Sequence, residues 1–467
     1  MSEQKSNASQ SPINRRNFLH RSSALAAGGM ALTGMGVDRF VHAASSDTLK
    51  LALIGCGGRG SGAADQALTT NRLGNGAVKL VAMADAYEDK LLGSLSRIRA
   101  NHHDHVDVPP DRQFVGVDAY KKAIAEADVV VLATPPGFRP IHFEEAVKQG
   151  KNVFFEKPVA VDAPGIRMVL AAAHEAKKKN LKIGVGLQRH HQRKYTETMK
   201  RLHDGAIGDI VSARCYWNGN PVGHKGTRQG LTQQWGRKPS ELEYQMRNWY
   251  QFVWLCGDHI VEQHIHNIDV INWVKGTHPI SAQGMGGREV RKGIDDGEIY
   301  DHHFVEFEYE DGTRCYSQCR HIKGCFNSVS EHVVGTKGNA DISGGKIFAD
   351  SGAWRHQAPK GTRDPNPYQQ EHDDLFDAIR KDKPYNEAEY GALSTMSAIF
   401  GRMCTYTGKK ISWNDAFNSP VSTMPDDLAY DEDAGRWTGT PKSQPDSNGQ
   451  YPIAVPGDKE WYKKIVG

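Results

Sequence analysis

A glycine turn between a buried strand and a helix constrains this chain more than any other feature. Gly55-Cys56-Gly57-Gly58-Arg59-Gly60 follows the apolar run 49–54 and precedes a small-residue stretch, 61–68, suited to a helix. The spacing is G-x-G-x-x-G, and the strand–turn–helix setting is the one a dinucleotide fingerprint requires. Such glycines permit a tight turn and let backbone N–H groups approach a pyrophosphate at the positive end of the helix. Gly55, Gly57, Gly58, Arg59 and Gly60 are therefore the first candidate cofactor contacts. A mere tight turn is the competing reading.

A second buried strand, 79–84, ends at Asp85. A carboxylate there can accept hydrogen bonds from the adenosine ribose hydroxyls and would repel a 2′-phosphate, and no arginine follows within the next few residues. NAD is expected rather than NADP; a helix N-cap is the competing reading of Asp85. The alternation continues with a strand at 128–133 ending at Thr134-Pro135, a helix over 141–149 carrying His142, a strand at 151–155, a helix over 162–179 and a strand at 181–185. Thr134, Pro135 and His142 join the cofactor-facing candidates. This order argues for a parallel sheet with helices on both faces.

From about residue 210 the pattern changes. Longer strands with partial alternation are expected at 210–217, 304–309, 313–318 and 331–334, with a hairpin turn at Asp311-Gly312, and helices at 371–380 and 387–405. The fold class expected is α/β: a Rossmann domain over 48–185, then an α/β domain over 186–415 with a large open, mostly antiparallel sheet. The tail, 416–467, is rich in Pro, Gly, Ser and Asp and is expected as an extended surface arm or a disordered one.

The first 43 residues read as a twin-arginine export signal. Arg15-Arg16 and Phe18-Leu19 precede an apolar stretch, 24–37, and Val41-His42-Ala43 offers a cleavage site. The apolar core is too short and too glycine-rich to span a membrane. The signal predicts delivery to the periplasm by the twin-arginine export machinery, already folded. It also predicts a tightly held cofactor, because the periplasm should offer little free NAD. Net charge is +3 from 58 basic and 55 acidic side chains, and nothing points to nucleic acid. No long apolar run follows the signal, so no membrane contact is expected afterwards. The seven cysteines match no zinc or thioredoxin spacing and read mostly as buried small apolar side chains.

Two further segments carry chemistry. Glu156-Lys157-Pro158 directly follows the strand ending at Phe155, and strand carboxyl ends face the ligand crevice in such sheets. Lys157 there can contact a substrate hydroxyl beside the nicotinamide; a surface lysine on a turn is the alternative. In the segment 257–269, helical periodicity puts Asp258, His259, Glu262, His266 and Asp269 on one stripe and isoleucines on the other. His266 is the candidate general base, with Glu262 orienting it or tuning its pKa. His264 falls on the apolar side as a satisfied core histidine. A zinc site from His259, Glu262 and His266 is the rival reading; the segment is read as metal-free because no separate ligand segment stands out, although His302-His303 or the histidine-rich loop 102–105 can supply ligands. Gln188, Arg247, Asn248, Trp249, Tyr250 and Trp254 are candidate sugar contacts.

Taken in order, Gly55 to Gly60, Asp85, Glu156-Lys157-Pro158 and His266-Asn267-Ile268-Asp269 resemble the motifs of the Gfo/Idh/MocA oxidoreductases over about residues 49–411. The resemblance implies a Rossmann domain, a second domain whose open sheet mediates dimers or tetramers, a conserved lysine at Lys157 and a catalytic histidine at His266. Many members carry an aspartate four residues before that histidine. Here it is Glu262, whose extra methylene moves the carboxylate by about 1.5 Å. The expected activity is NAD-dependent oxidation of a secondary hydroxyl on a sugar or glycoside. A redox-neutral NAD-dependent glycosidase and a non-catalytic sugar-binding protein are the alternatives; the family's glycosidase branch departs from Glu-Lys-Pro, which this chain keeps.

Overall fold

The computed structural model describes residues 48–467 apart from 117, 432 and 434; the expected export signal lies outside the described residues. Six strands, β1 (Thr48–Ile54), β2 (Ala77–Asp85), β3 (Gln113–Val115), β4 (Val129–Leu132), β5 (Asn152–Phe155) and β6 (Ile183–Val185), form a parallel sheet in the order β3-β2-β1-β4-β5-β6. Both faces of β1 are covered, Leu51 and Leu53 on one side and Ala52 and Ile54 on the other. That is why its sequence runs apolar instead of alternating. The strand order reverses between β1 and β4, so the ligand groove opens at their carboxyl ends. The helix Ala163–Lys178 is capped by Asp162, whose Oδ1 accepts from the Gly165 amide.

The second sheet joins β7 (Ile210–Gly219), β8 (Ser281–Gly287), β9 (His302–Glu308), β10 (Arg314–His321), β11 (Ser328–Gly335), β12 (Gly338–Asp341), β13 (Lys346–Ala349), β14 (Gly352–Arg355) and β15 (Ile411–Ser412). Their order is β14-β13-β12-β11-β7-β10-β9-β8-β15, antiparallel except between β7 and β10. Alternation along β10 turns Cys315, Ser317, Cys319 and His321 inward and Arg314 and Tyr316 outward. The helix Ala388–Thr407, buried along nearly its whole length, packs on β8 and on the Rossmann helix Ala163–Lys178, and so fastens the two sheets together. The helix Pro367–Arg380 also returns to the Rossmann side, where Leu375 and Phe376 pack with β1 side chains and Arg380 donates to the Ala77 carbonyl at 2.7 Å.

The tail crosses back to the nucleotide end of the molecule. Strands β16 (Ala429–Asp431) and β17 (Arg436–Thr438) pair as a hairpin, and a helix, Lys459–Ile465, ends the chain. The Trp437 indole donates to the Ala86 carbonyl at 3.0 Å, just past β2, and packs with Phe138 and Trp254. Tyr430 lies so close to Gly116, just past β3, that a Cβ there would come within 3.1 Å of its ring. All seven cysteines are free and six are buried. Among the described residues no helix is long and apolar enough to cross a membrane.

Candidate active site

The glycine turn is shaped by close approach. Gly55 has φ +94°, and a Cβ on it would lie 2.5 Å from the Thr134 amide nitrogen; a Cβ on Gly60 would lie 1.9 Å from the Gly55 carbonyl oxygen. Gly57 and Gly58 face open space instead. The helix Gly58–Thr69 begins there with no side-chain cap, which leaves its first N–H groups for a ligand. This cradle suits a diphosphate. Asp85 stands across it, its Oδ2 accepting from the Cys56 amide at 2.6 Å and its Oδ1 from Tyr87 at 2.9 Å. Burial raises its pKa, against the pull of those two amides. Gly60→Ala is expected to abolish nucleotide retention and to cost about 1–3 kcal/mol or more of stability through overpacking, read as bound-nucleotide content and Tm; full retention would contradict the cradle.

The neighbouring candidates brace this groove. Arg59 pairs with Glu156, bonds Gln66 at 2.7 Å and lies over the Tyr368 ring, so it ties the glycine helix to the end of β5. Glu156 in turn fills the space at Gly186, where a Cβ would come within 2.6 Å of its Oε2. Thr134 Oγ1 lies 3.1 Å from His142 Nδ1 beside Pro135. Burial, helped by the Arg139 cation, drives the His142 pKa down to about 3.

Lys157 leaves the end of β5 and reaches the second domain. Its Nζ donates to the Glu262 carbonyl at 2.5 Å and lies 3.3 Å from Glu262 Oε1. His266, on the next helix, stacks against Trp217 with ring centroids 5.8 Å apart. Burial first, then the Lys157 and Arg189 cations, hold the His266 pKa well below the ordinary imidazole value, so the ring is neutral. Three buried polar atoms here have no partner among the described residues: His266 Nδ1, Glu262 Oε2 and the Tyr250 hydroxyl. Burial raises the pKa of Glu262, opposed chiefly by Lys157, and burial with the Glu262 charge raises that of Tyr250.

The single helical stripe expected over 257–269 does not form. Gly257 and Asp258 both have positive φ, +78° and +74°, and the backbone yields two helices, His259–Glu262 and Ile265–Lys275, broken at Gln263. The break turns Asp258 and His259 inward, both fully buried, to partners other than those of Glu262 and His266. The grouping of His259 with Glu262 and His266 is therefore not assembled. Asp269 is taken by His190 at 2.9 Å and Ser394 at 2.8 Å. His264 is a satisfied core residue, 2.7 Å from Ser317 Oγ. Glu262 bonds Lys157 rather than His266, because the ammonium claims its carboxylate.

Of the expected sugar contacts, Tyr250 borders this site. Gln188 stands three residues past the end of β6, at the start of the turn Gln188–His191, bonded to the Tyr368 hydroxyl at 3.2 Å with its Oε1 unpartnered among the described residues. Arg247 goes elsewhere: it pairs with Asp89 at 2.8 Å and covers the Tyr87 ring at 4.0 Å, at the ribose end of the groove. Asn248 props a loop through the Lys225 amide and the Gly226 carbonyl. Trp249 is half-buried against Tyr250 and Val222, and Trp254 is buried against Phe138. Trp217 and Arg189 escaped the sequence reading, although Trp217 falls on the inward alternation of β7 and Arg189 lies four residues past the end of β6. Arg189 also pairs with Glu331, which Asn267 and Tyr195 hold as well, fixing the helix beside His266.

Residues 49–187 match the Gfo/Idh/MocA family described as an oxidoreductase family with an NAD-binding Rossmann fold. The matched segment is the NAD-binding Rossmann domain that this family's description names. The chain is 26% identical over 316 residues to the inositol 2-dehydrogenase of Ralstonia nicotianae, covering 66% of this chain and 78% of that protein. Among solved structures it resembles the aldose–aldose oxidoreductase of Caulobacter crescentus complexed with glycerol (TM-score 0.59, 16% identity, 78% of this chain and 99% of that one). It likewise resembles the scyllo-inositol dehydrogenase of Lactobacillus casei with bound NAD(H) and scyllo-inositol (TM-score 0.56, 18% identity, 79% and 99%). At these identities the structures establish the shared two-domain fold. The glycine cradle and Asp85 fit NAD as the cofactor.

Proposed function

We propose that this chain is an NAD-dependent dehydrogenase acting on a secondary hydroxyl of a sugar or cyclic polyol. The observation that carries the proposal is the meeting of Lys157, from the end of a Rossmann strand, with Glu262 and His266 of the second domain, around three buried polar atoms that lack partners. Unpaired buried donors and acceptors are costly, and a ligand bearing several hydroxyls would satisfy them. The inositol 2-dehydrogenase relative handles a substrate of that kind. NAD, when bound, supplies the hydride acceptor. Neutral His266 takes the hydroxyl proton, Lys157 holds the substrate oxygen as charge develops on it, and Glu262 balances the lysine while offering Oε2 to a neighbouring hydroxyl. Trp217, stacked beside His266, gives the sugar an apolar wall.

Tight retention of the cofactor is part of the proposal. The β16–β17 hairpin, with Trp437 on Ala86 and Tyr430 on Gly116, covers the ends of β2 and β3 where adenosine belongs. Export by the twin-arginine route to the periplasm rests on the signal sequence. Assembly of two or four copies is supported by the outer face of the large sheet, which exposes Met285, Tyr316, Val334 and Phe348. The test is a panel of inositols, hexoses, glycosides and polyols, read by the fluorescence of reduced bound cofactor. Reduction by at least one of them is expected. Silence across the panel would count against a dehydrogenase, and release of free sugar from a glycoside without net reduction would point to the redox-neutral glycosidase.

A further inference from the structure

A buried cation beside the site makes no ion pair among the described residues. Arg291 lies on the loop 288–301 between β8 and β9 and is 6% exposed. The loop holds it firmly. The buried Asp301 carboxylate accepts from the amides of Glu289 at 2.7 Å, Val290 at 2.6 Å and Arg291 itself at 3.3 Å. The Arg291 carbonyl accepts from Arg288 Nε at 2.9 Å. At the tip of the side chain, Nη1 donates to Gln251 Oε1, and Gln251 is fixed in turn by its Nε2 on the Val222 carbonyl at 3.2 Å.

The rest of the guanidinium is free. Nε and Nη2 are buried with no hydrogen-bond partner, and no other arginine among the described residues has two such atoms. These two nitrogens form one edge of the guanidinium plane, with their N–H bonds parallel. That edge grips a carboxylate through both of its oxygens. Arg189, buried to the same degree, has Glu331 as its counter-ion. Asp258 does not play that part for Arg291. Its Oδ1 is spent on the amide and Nδ1 of His259, and its Oδ2 accepts from the Tyr300 amide at 2.9 Å and the Tyr406 hydroxyl at 2.5 Å. His259 Nε2 and His321 Nδ1 make no hydrogen bond to the free edge either. A buried charge without a partner is costly, and a ligand that supplies the opposite charge removes the cost.

Tyr250 joins this edge to the substrate site. It precedes Gln251 in the turn Trp249–Gln251, and its hydroxyl is also buried without a partner among the described residues. Burial first and then the Glu262 charge raise its pKa, while the Arg291 cation pulls the other way, so the hydroxyl stands within electrostatic reach of both. Tyr250, Glu262, His266 and Arg291 each keep 6–8% of their surface exposed, whereas Asp258, His259 and His321 keep none. The four share a narrow opening that the neighbouring histidines lack.

We propose that Arg291 and Tyr250 form a carboxylate subsite, so that the hydroxyl oxidised beside Lys157 and His266 belongs to an acidic monosaccharide, a uronate or an aldonate. This rests on the dehydrogenase reading and narrows its substrate. The Nε–Nη2 edge takes the two carboxylate oxygens, and the Tyr250 hydroxyl donates to one of them. The sugar hydroxyls are left to Lys157, His266 and Glu262 Oε2. One guanidinium matches the single charge of a carboxylate; a phosphate monoester brings nearly two.

The test titrates the full chain, saturated with NAD, in a calorimeter at fixed ionic strength. D-Glucuronate, D-galacturonate and D-gluconate are each compared with the neutral D-glucose, D-galactose and D-glucitol. At least one acid is expected to bind about 10- to 100-fold more tightly than its neutral counterpart, the scale of a charge-assisted pair. Arg291→Gln should remove the preference, and Arg291→Lys, which keeps the charge without the two-pronged edge, should retain only part of it. Acids that bind no more tightly than the neutral sugars, or not at all, overturn the proposal; the edge is then met by buried water alone. So does a preference that survives whole in Arg291→Gln. The comparison on the unaltered sequence decides the matter even where a variant fails to fold. Binding is read without turnover, which keeps the two proposals apart. Preferred acids that never reduce the cofactor would leave the subsite standing and count against the dehydrogenase. A neutral sugar that reduces the cofactor, with no preference for acids, would do the reverse.

Discussion

Replacing His266 with glutamine is expected to slow hydride transfer by about 100- to 10,000-fold, the range that loss of a positioned general base produces, while bound nucleotide stays at the unaltered level. The imidazole is neutral in the fold, held so by burial and by the nearby Lys157 and Arg189 cations, and Nδ1 has no partner among the described residues. A neutral ring at a site with a spare nitrogen is ready to take a proton. Glutamine keeps a polar atom near that position but cannot accept a proton at useful pH. Single-turnover measurement of cofactor reduction separates the chemical step from substrate binding. A rate within tenfold of normal would remove His266 from the role.

The second large effect belongs to Lys157. Lys157→Met keeps the length and apolar stem of the side chain but removes the ammonium, and a loss of about 100- to 1,000-fold in the hydride step is expected, the scale of deleting one donor to a developing oxyanion. Lys157 also donates to the Glu262 carbonyl and approaches its carboxylate, so the variant leaves Glu262 buried without its cation. Burial already raises the Glu262 pKa against the pull of Lys157; once that pull is gone the carboxyl should take up a proton at higher pH. The combined signature is a slower hydride step together with a changed pH profile, at constant nucleotide content. A slower rate whose pH profile does not move would mean that Lys157 acts on substrate alone.

Acid should weaken the fold before it touches the chemistry. His142 and His266 have native pKa values below that of an unfolded histidine, so below about pH 6.5 the unfolded chain binds more protons than the folded one. Stability from these groups is complete above that value and is lost as pH falls, for His142 down to about 3. Each contributes a slope of up to about 1.4 kcal/mol per pH unit. Urea midpoints measured across that range should fall with pH, less steeply in His142→Phe. A flat midpoint would show that these rings are charged in the native state.

What was legible in the sequence was local. The glycine turn, the strand ends at Asp85 and Phe155, and the inward alternation of β10 each depend on a few adjacent residues and a fixed period, and the structure has them. The helical stripe over 257–269 misled because periodicity assumes an unbroken helix, and Gly257-Asp258 and Gln263 break it. That one break separates Asp258 and His259 from Glu262 and His266. Arg247 was unreadable for another reason: its partner, Asp89, lies 158 residues earlier, and no local pattern encodes such a pairing. The tail had one overlooked sign, a tyrosine and a tryptophan in an otherwise polar segment, which become the contacts of the hairpin with the nucleotide end.

The most direct measurement follows the carbon-bound hydrogen. A sugar or inositol found to reduce the bound cofactor is prepared with deuterium at the carbon that is oxidised, and the nucleotide is released and analysed after a single turnover. Deuterium carried to C4 of the nicotinamide, with a primary isotope effect that persists in the slowed His266→Gln protein, is the expected result. Deuterium lost to water, or a reduced cofactor without the label, would contradict direct transfer in a groove closed by Lys157 and His266.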